Sequence, residues 1–221
     1  MTSLARELFR HSLETLQDKL LKMGALVEEA IFKAVRSLAE RDLDLAREVV
    51  EGDDVVDQMQ QEIEMESLEL IALQQPMAGD LRVLGTALKI TTDLERMADL
   101  ATDIARITIR LEGQPLIKPL IDIPRMAEIA RSMLREALTA FVERDPELAR
   151  RMVERDHEID HLFKQVFREL LLLMMEDPRN ITQGTYLLFV AKYLERIGDH
   201  ATNLGEWVIY MVTGERLELN K

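Results

Sequence analysis

One stretch of this sequence occurs twice, and that repeat constrains the fold more than any other feature. The segment DLERMADLATDIA, residues 93–105, returns as YLERIGDHATNLG, residues 193–205. An upstream segment, RDLDLAREVVEGDDVVD at 41–57, aligns without gaps with RDPELARRMVERDHEID at 144–160. The upstream copies are offset by 103 residues and the downstream copies by 100, so the second copy contains a connection three residues shorter. The chain is therefore predicted to contain one structural unit twice.

Apolar residues recur at three- and four-residue intervals in six segments, which is the period of an amphipathic helix. We predict helices at about residues 12–39, 42–73, 76–111, 125–142, 146–175 and 182–212. Asp42 is a plausible N-cap of the second helix, and Pro76 suits the first turn of the third. Only 9 of the 221 residues are Gly and 6 are Pro, and aromatics make up 5%, which favours helices over strands. The predicted fold class is all-α.

The stretch between the two copies, residues 112–124, contains one glycine and three prolines, which forbid a continuous helix. We predict that it links two tandem three-helix repeats, residues 1–111 and residues 125–221. Short connections inside each repeat make neighbouring helices antiparallel. The expected architecture is therefore two tandem, pseudo-symmetric three-helix bundles.

Both copies place carboxylates one helical turn apart. Glu95, Asp99 and Asp103 are spaced by four residues, so all three project from one stripe of the third predicted helix. Glu195 and Asp199 repeat that spacing in the second copy. Each unneutralised pair of like charges costs a helix about 0.2–0.5 kcal/mol. For a single such motif a solvated face covered by the adjacent arginine is the simpler interpretation, but two copies in matching surroundings favour a bound cation.

A second acidic pair stands one helix earlier in each copy, Asp53 with Asp57 and Asp156 with Asp160. Such a pair near a helix start usually serves capping and the helix dipole. Antiparallel neighbours can, however, bring this pair opposite the pair on the next helix, which gathers four or five carboxylates in a small volume. Oxygen ligands of this kind suit Mg²⁺, Mn²⁺, Ca²⁺ or iron, and crowded carboxylates can bridge several ions. We predict one metal site in each repeat.

Four further residues lie beside the acids of the second copy. Asn203 stands in the place of Asp103, which would make the second site less negative. His157, His161 and His200 could contribute imidazole nitrogen. Since the first copy has no histidine at the matching positions, a surface role is the better interpretation for all three.

Composition excludes several functional classes. A net charge of −13 disfavours broad contact with nucleic-acid phosphates. No stretch approaches the roughly 20 apolar residues of a membrane span, and the charged N-terminal residues do not resemble a signal peptide, so we expect a cytoplasmic protein without direct membrane insertion. The absence of Cys removes disulfides and thiolate metal sites. Without a glycine-rich phosphate loop or a defensible Ser-His-Asp order, we expect no enzymatic activity.

Four motifs together resemble one known family. They are LERMAD at 94–99, LERIGDHATN at 194–203, QQPMAGDLR at 74–82 and VERDHEID at 153–160. In order, spacing and duplication they are similar to the PhoU family, accessory regulators of bacterial phosphate uptake and signalling, over nearly the entire chain. LERMAD departs from the more typical LERIGD, a core-packing change that leaves both carboxylates in place.

The resemblance implies an all-α pair of three-helix bundles that holds multinuclear metal clusters, with iron as the first choice and zinc or manganese as alternatives. It also implies a role in restraining the phosphate-starvation response through contact with the ATPase subunit of a phosphate ABC transporter and with a membrane sensor histidine kinase; we further expect a homodimer. Carried over by position, the candidate ligands are Asp53, Asp57, Glu95, Asp99 and Asp103 in the first repeat and Asp156, Asp160, Glu195, Asp199 and Asn203 in the second.

Two alternatives stay open from the sequence. A ferritin-like di-iron carboxylate oxidase uses two Glu-x-x-His motifs on two helices. This chain has two such motifs, Glu154 with His157 and Glu158 with His161, but both fall on one predicted helix. In the other alternative the metal cluster itself binds phosphate. The cluster would supply the positive charge for this contact, because carboxylates alone would repel the anion.

Overall fold

The structure is a computed structural model that describes the backbone of residues 3–219 and the side chains of residues 6–219. This range forms seven α-helices and one short 3-10 helix, and it contains no strand, which confirms the all-α prediction. The helices are α1 Ser3–Glu40, α2 Leu43–Gln74, α3 Ala78–Arg110, α4 Asp122–Glu143, α5 Pro146–Val153, α6 Asp156–Glu176 and α7 Ile181–Thr213, with the 3-10 helix Pro178–Asn180 between α6 and α7.

Matching aspartates start the second helical arm of each repeat. Oδ1 of Asp42 accepts hydrogen bonds of 3.0 Å from the backbone N–H groups of Asp44 and Leu45. Asp145 does the same for the first turn of α5, with distances of 2.9 Å and 3.0 Å. Each cap satisfies backbone donors that would otherwise lack a partner inside the helix. The predicted N-cap role of Asp42 is confirmed.

The prediction of one continuous helix over 146–175 is wrong, because the chain breaks between α5 and α6 at Glu154 and Arg155. At the break, the N–H of Arg155 bonds the carbonyl of Met152 at 3.0 Å, an i to i+3 bond that replaces the α-helical pattern. The guanidinium of Arg155 also donates to Ser132 and Glu136 on α4. This long-range anchor holds the break, which no Pro or Gly marks in the sequence.

Two predicted helix starts also differ from the structure. The first helix begins at Ser3 rather than near residue 12, so the charged N-terminal stretch is helical. Pro76 does not lie in the first turn of α3, which begins at Ala78. The chain turns at Gln75, just before Pro76, where the backbone is left-handed with a φ of 45°.

The two repeats pack into one hydrophobic core. α1, α2 and α3 form one bundle, α4 to α7 form the other, and α3 lies antiparallel against α7 at the centre. Arg82 donates to the carbonyl of Met211 at 3.2 Å and Thr86 to that of Trp207 at 3.4 Å, so chain numbers rise on α3 as they fall on α7. The fold prediction of two pseudo-symmetric bundles, in which α5 and α6 form one broken arm, is confirmed.

The connection between the repeats is held by a glutamine of α7. The side chain of Gln183 accepts a hydrogen bond from the N–H of Ile117 at 2.5 Å and donates to the carbonyl of Pro115 at 3.1 Å. Its amide thus satisfies a backbone donor and a backbone acceptor of the irregular segment. The predicted linker extended to residue 124, but α4 already begins at Asp122.

None of the helices described combines the length and the apolar character that a membrane span needs.

Candidate metal centres

Four of the five acids predicted as ligands in the first repeat act on one another across the α2/α3 contact. Burial raises the pKa of Asp53, and the charges of Asp99 and Asp57 raise it further, while the nearby Thr102 hydroxyl lowers it. Burial also raises the pKa of Glu95, followed by the charges of Asp99, Asp57 and Asp53. Such mutual effects need carboxylates in close proximity. The two helices therefore bring these four groups to one seam, as the spacing predicts.

Asp53 carries the clearest signature of an incomplete site. Its Oδ1 is buried and has no hydrogen-bond partner among the described residues. A buried polar oxygen without a partner costs about 1–3 kcal/mol, so native structures rarely keep one unless something else fills the role. A cavity of about 230 Å³ between α1, α2 and α3 is lined by Asp53 and Thr102, so the seam borders a small cavity.

The second repeat gathers its own four acids around Asp156, the first residue of α6. Asp156 is only 7% exposed, and burial, together with the charges of Asp199, Asp160 and Glu195, raises its pKa to about 6. His157 lowers it. The glutamates of the two seams match in burial, since the side chain of Glu195 is 15% exposed and that of Glu95 is 16% exposed.

A glycine on α7 makes room for Asp156. A Cβ atom at Gly198 would lie 2.9 Å from Oδ1 of Asp156 and 2.9 Å from Cδ1 of Ile159, closer than real Cβ contacts. The first repeat has Ala98 at the matching position. The difference between LERMAD and LERIGD therefore bears on carboxylate placement in the second seam as well as on core packing.

We expect the Gly198→Ala variant to displace the Asp156 carboxylate while leaving the fold intact, because only the ends of two side chains must shift. Loss of a group that orients a ligand typically weakens metal affinity about 10- to 100-fold. The metal affinity of the second repeat, measured by calorimetry, should therefore be about 10- to 100-fold weaker than in the parent. Gly85→Ala is the control, since a Cβ there meets no atom within 4 Å. Equal metal affinities for the two variants would show that Gly198 does not position Asp156.

The described side chains do not form a ready-made metal centre. Within residues 6–219, no group of three acidic or histidine side chains is arranged to hold an ion. Cations on the same helices hold several of the carboxylates instead. Nη1 of Arg96 lies 3.1 Å from Asp99, and Lys192 binds Glu195 at 2.6 Å. Arg96 therefore fits the simpler interpretation, in which an arginine folds over an acidic face. Metal binding would require the carboxylates of Asp99 and Glu195 to leave these cations and rotate towards the seam.

The fifth predicted ligand of each repeat is held by another partner. Asp103 pairs with Arg106 on its own helix at 3.0 Å. Nδ2 of Asn203 donates to Oδ1 of Asp93 across the α3/α7 contact at 3.2 Å, and Nδ1 of His200 lies 2.8 Å from the same oxygen. His200 therefore takes part in the contact between repeats, whereas His157 and His161 are exposed, as their surface interpretation predicts.

Sequence reasoning missed the contribution of the threonines. Thr102 lies beside Asp53, and Oγ1 of Thr202, its counterpart in the second repeat, is buried without a hydrogen-bond partner among the described residues. The signal was available, because both copies carry Ala-Thr at the same place after the acidic motif. Each seam thus contains a buried oxygen that a bound ion could satisfy.

The two Glu-x-x-His motifs do not build a di-iron centre. Glu154 precedes α6 and is exposed, and Glu158, His157 and His161 are exposed on α6. A ferritin-like centre needs inward-facing ligands from four helices. These four residues offer one exposed surface instead.

Comparison with known proteins agrees with the duplicated fold. The family profile described as PhoU domain matches twice, at residues 20–108 and 123–208. A protein of Clostridium acetobutylicum named phosphate-specific transport system accessory protein PhoU homolog is 42% identical over 218 residues, which cover 98% of this chain and 100% of the relative. A protein of Aquifex aeolicus with the same name is 43% identical over 203 residues, 92% of each chain.

Two solved structures share this architecture. The crystal structure of PhoU from Pseudomonas aeruginosa superposes with a TM-score of 0.90 at 38% identity, covering 94% of this chain and all of that one. The phosphate transport system regulatory protein PhoU from Streptococcus pneumoniae gives a TM-score of 0.88 at 30% identity, covering 95% of this chain and 99% of that one. With two copies of the domain and full-length relatives above 40% identity, this chain belongs to the PhoU family.

Proposed function

We propose that this chain is a metal-binding, non-enzymatic regulator of phosphate uptake and phosphate-starvation signalling. It acts by contact with the ATPase subunit of a phosphate ABC transporter and with a membrane sensor histidine kinase. The observation that carries the proposal is the full-length similarity to proteins named as accessory proteins of phosphate-specific transport. The two acidic seams supply the metal-binding part of the proposal.

In each seam four carboxylates hold the ion or ions. In the first repeat these are Asp53, Asp57, Glu95 and Asp99. Burial, and then repulsion among these acids, raises the pKa of Asp53 and Glu95, and a cation would offset both effects. A donor set made only of oxygen suits iron or manganese better than zinc, which prefers nitrogen and sulfur. The metal would supply positive charge that ties α2 to α3. We therefore propose a multinuclear metal cluster as the cofactor, with iron as the first choice of metal.

The matching set in the second repeat is Asp156, Asp160, Glu195 and Asp199. Asp156 starts α6 directly after the chain break, so an ion bound there would join α6 to α7. Asp103 and Asn203 remain candidates only if they leave Arg106 and Asp93. We therefore expect the four central acids of each repeat to dominate metal binding.

Protein contact is supported by apolar residues exposed at the ends of two helical hairpins. Near the end of α6, Leu172 is 59% exposed and Met175 is 73% exposed. At the matching end of the first repeat, Leu73 and Met77 are also exposed. Exposed apolar residues grouped at one place are typical of protein interaction sites. These ends are the surfaces that we propose for the partners and for a homodimer.

The purified transporter ATPase subunit, immobilised on a sensor, tests the proposal directly. We expect saturable binding of the metal-loaded chain that weakens at least tenfold after chelation or in the Leu172→Glu variant, since a charge at the centre of an apolar contact must be desolvated. Val142→Glu, at an exposed position of α4, should bind like the parent. Failure to bind both the ATPase subunit and the kinase, with or without metal, would refute the proposed role.

A further inference from the structure

A second cavity lies at the contact between the two repeats. It has a volume of about 300 Å³ and is formed by α3, α7 and the segment 214–219 that follows α7. Its walls include Lys89, Asp93, Asn203, Trp207, Tyr210 and Arg216. This volume is at the lower end of the range for small-molecule sites. None of these residues except Asn203 belongs to the predicted metal sites.

Two cations flank the indole ring at one end of this cavity. Nζ of Lys89 lies 5.6 Å from the ring centre of Trp207, and Cζ of Arg216 lies 5.3 Å from it. Neither cation forms an ion pair with a carboxylate of the described residues, although the chain has a net charge of −13. Tyr210 stands edge-on to Trp207, with ring centres 6.0 Å apart. This end therefore combines an aromatic surface with two positive charges.

The opposite end carries hydrogen-bond acceptors. Oδ1 of Asp93 is held by His200 and Asn203, and Asp93 lines the cavity. Along α7, Asn203 and Tyr210 are about 10 Å apart at 1.5 Å per residue. The cavity therefore presents both acceptors and cations to a ligand.

A small anion alone fits this arrangement poorly. Asp93 and Glu206 line the same cavity as Lys89 and Arg216, and two carboxylates repel a compact, multiply charged ion. A molecule that is anionic at one end and a hydrogen-bond donor at the other avoids the conflict with Asp93. An aromatic ring between those ends can lie against Trp207 or Tyr210, as bases do on aromatic side chains.

We propose that this cavity binds a nucleoside phosphate whose base carries an exocyclic amino group. The amino group donates to Asp93, the base lies against Tyr210, and the phosphate contacts Lys89 and Arg216. Charge-assisted hydrogen bonds from two cations are the strongest contacts available to the phosphate. This site is separate from the metal-binding proposal and does not depend on it.

The pseudo-symmetric position does not reproduce this chemistry. Where one side of the α3/α7 contact has Lys89 and Trp207, the other has Phe189 and Ile107. The cation and the indole are therefore not a consequence of the duplicated fold, since the same backbone positions accept apolar residues.

The full chain carries a single tryptophan, so its fluorescence reports on this cavity alone. Titration with AMP should change the emission saturably, and calorimetry should give the same affinity. Lys89→Ala and Arg216→Ala should each weaken binding at least tenfold. Arg196→Ala removes an exposed cation of α7 that does not line the cavity and should leave the affinity unchanged.

A matched pair of nucleotides tests the amino-group requirement. CMP carries an amino group where UMP carries a carbonyl oxygen, which Asp93 would repel, so CMP should bind at least fivefold more tightly. Equal affinity for the two would overturn base recognition, as would inorganic phosphate binding as tightly as AMP. Absence of a saturable signal from every nucleotide at millimolar concentration would overturn the proposed site. Arg216 would then serve only to hold segment 214–219 against Trp207. Thermal melting of each variant separates lost binding from lost folding.

Discussion

In the presence of a chelator at pH 7, the Asp156→Asn variant is expected to be more stable than the parent by about 1–3 kcal/mol, with urea unfolding as the measurement. The parent must keep a buried carboxylate charged beside Asp199 and Asp160, and burial is the larger cause of the rise of its pKa to about 6. Asparagine has nearly the same shape and no charge. The substitution therefore removes the cost of a buried negative charge.

The pH dependence has a definite sign. Since the folded pKa lies above the unfolded value of 3.8, the native state binds more protons than the unfolded chain between about pH 4 and pH 6. The stabilising effect of the neutral acid is complete below the unfolded pKa, and it is lost as the pH rises through the folded pKa. The difference between parent and variant should therefore vanish near pH 4 and reach its maximum above pH 6.

Added metal should reverse the order of stability. A cation neutralises the carboxylate of the parent, whereas the amide of the Asp156→Asn variant gives it little to bind. Asp54→Asn, at an exposed position of α2, should follow the parent under both conditions. If the Asp156→Asn variant were no more stable than the parent in chelator, or stayed more stable in saturating metal, the second seam would not be a charged cation site.

The Asp99→Ala, Asp199→Ala double variant is expected to lose nearly all bound metal in both repeats. Each substitution removes a carboxylate whose charge acts on the aspartate opposite it, half-buried Asp53 in one seam and buried Asp156 in the other. Elemental analysis of protein purified without added metal should find iron, or another cation, in the parent and only background in the variant.

Chelation provides an independent measure of the same effect. Metal at 100 times its dissociation constant stabilises the native state by about 2.7 kcal/mol. For a chain of this size that corresponds to a fall in Tm of about 5–10 °C when the metal is removed from the parent. The double variant should melt at the same temperature with and without chelator. An Asp44→Ala, Asp54→Ala control loses the same charge at exposed positions and should keep its metal. Metal retained by the Asp99→Ala, Asp199→Ala variant would remove the basis of both seams.

The sequence by itself determined those features that depend on neighbours along the chain. The four-residue spacing of Glu95 and Asp99 places both on one stripe because the rise and twist of a helix are constant. Asp42 caps α2 because its donors are two and three residues away. Repetition of such local patterns was enough to predict two bundles and the pairing of acids on adjacent helices.

The tertiary structure alone decided which groups meet across helices. The break before Asp156 depends on the anchoring of Arg155 to α4, which no local motif announces. Asn203 has the spacing of a metal ligand, yet its amide is directed to Asp93 of the other repeat. The partner of a side chain across an interface depends on the crossing and register of whole helices. Those are set by the packing of the shared core, so periodicity within one helix cannot specify them.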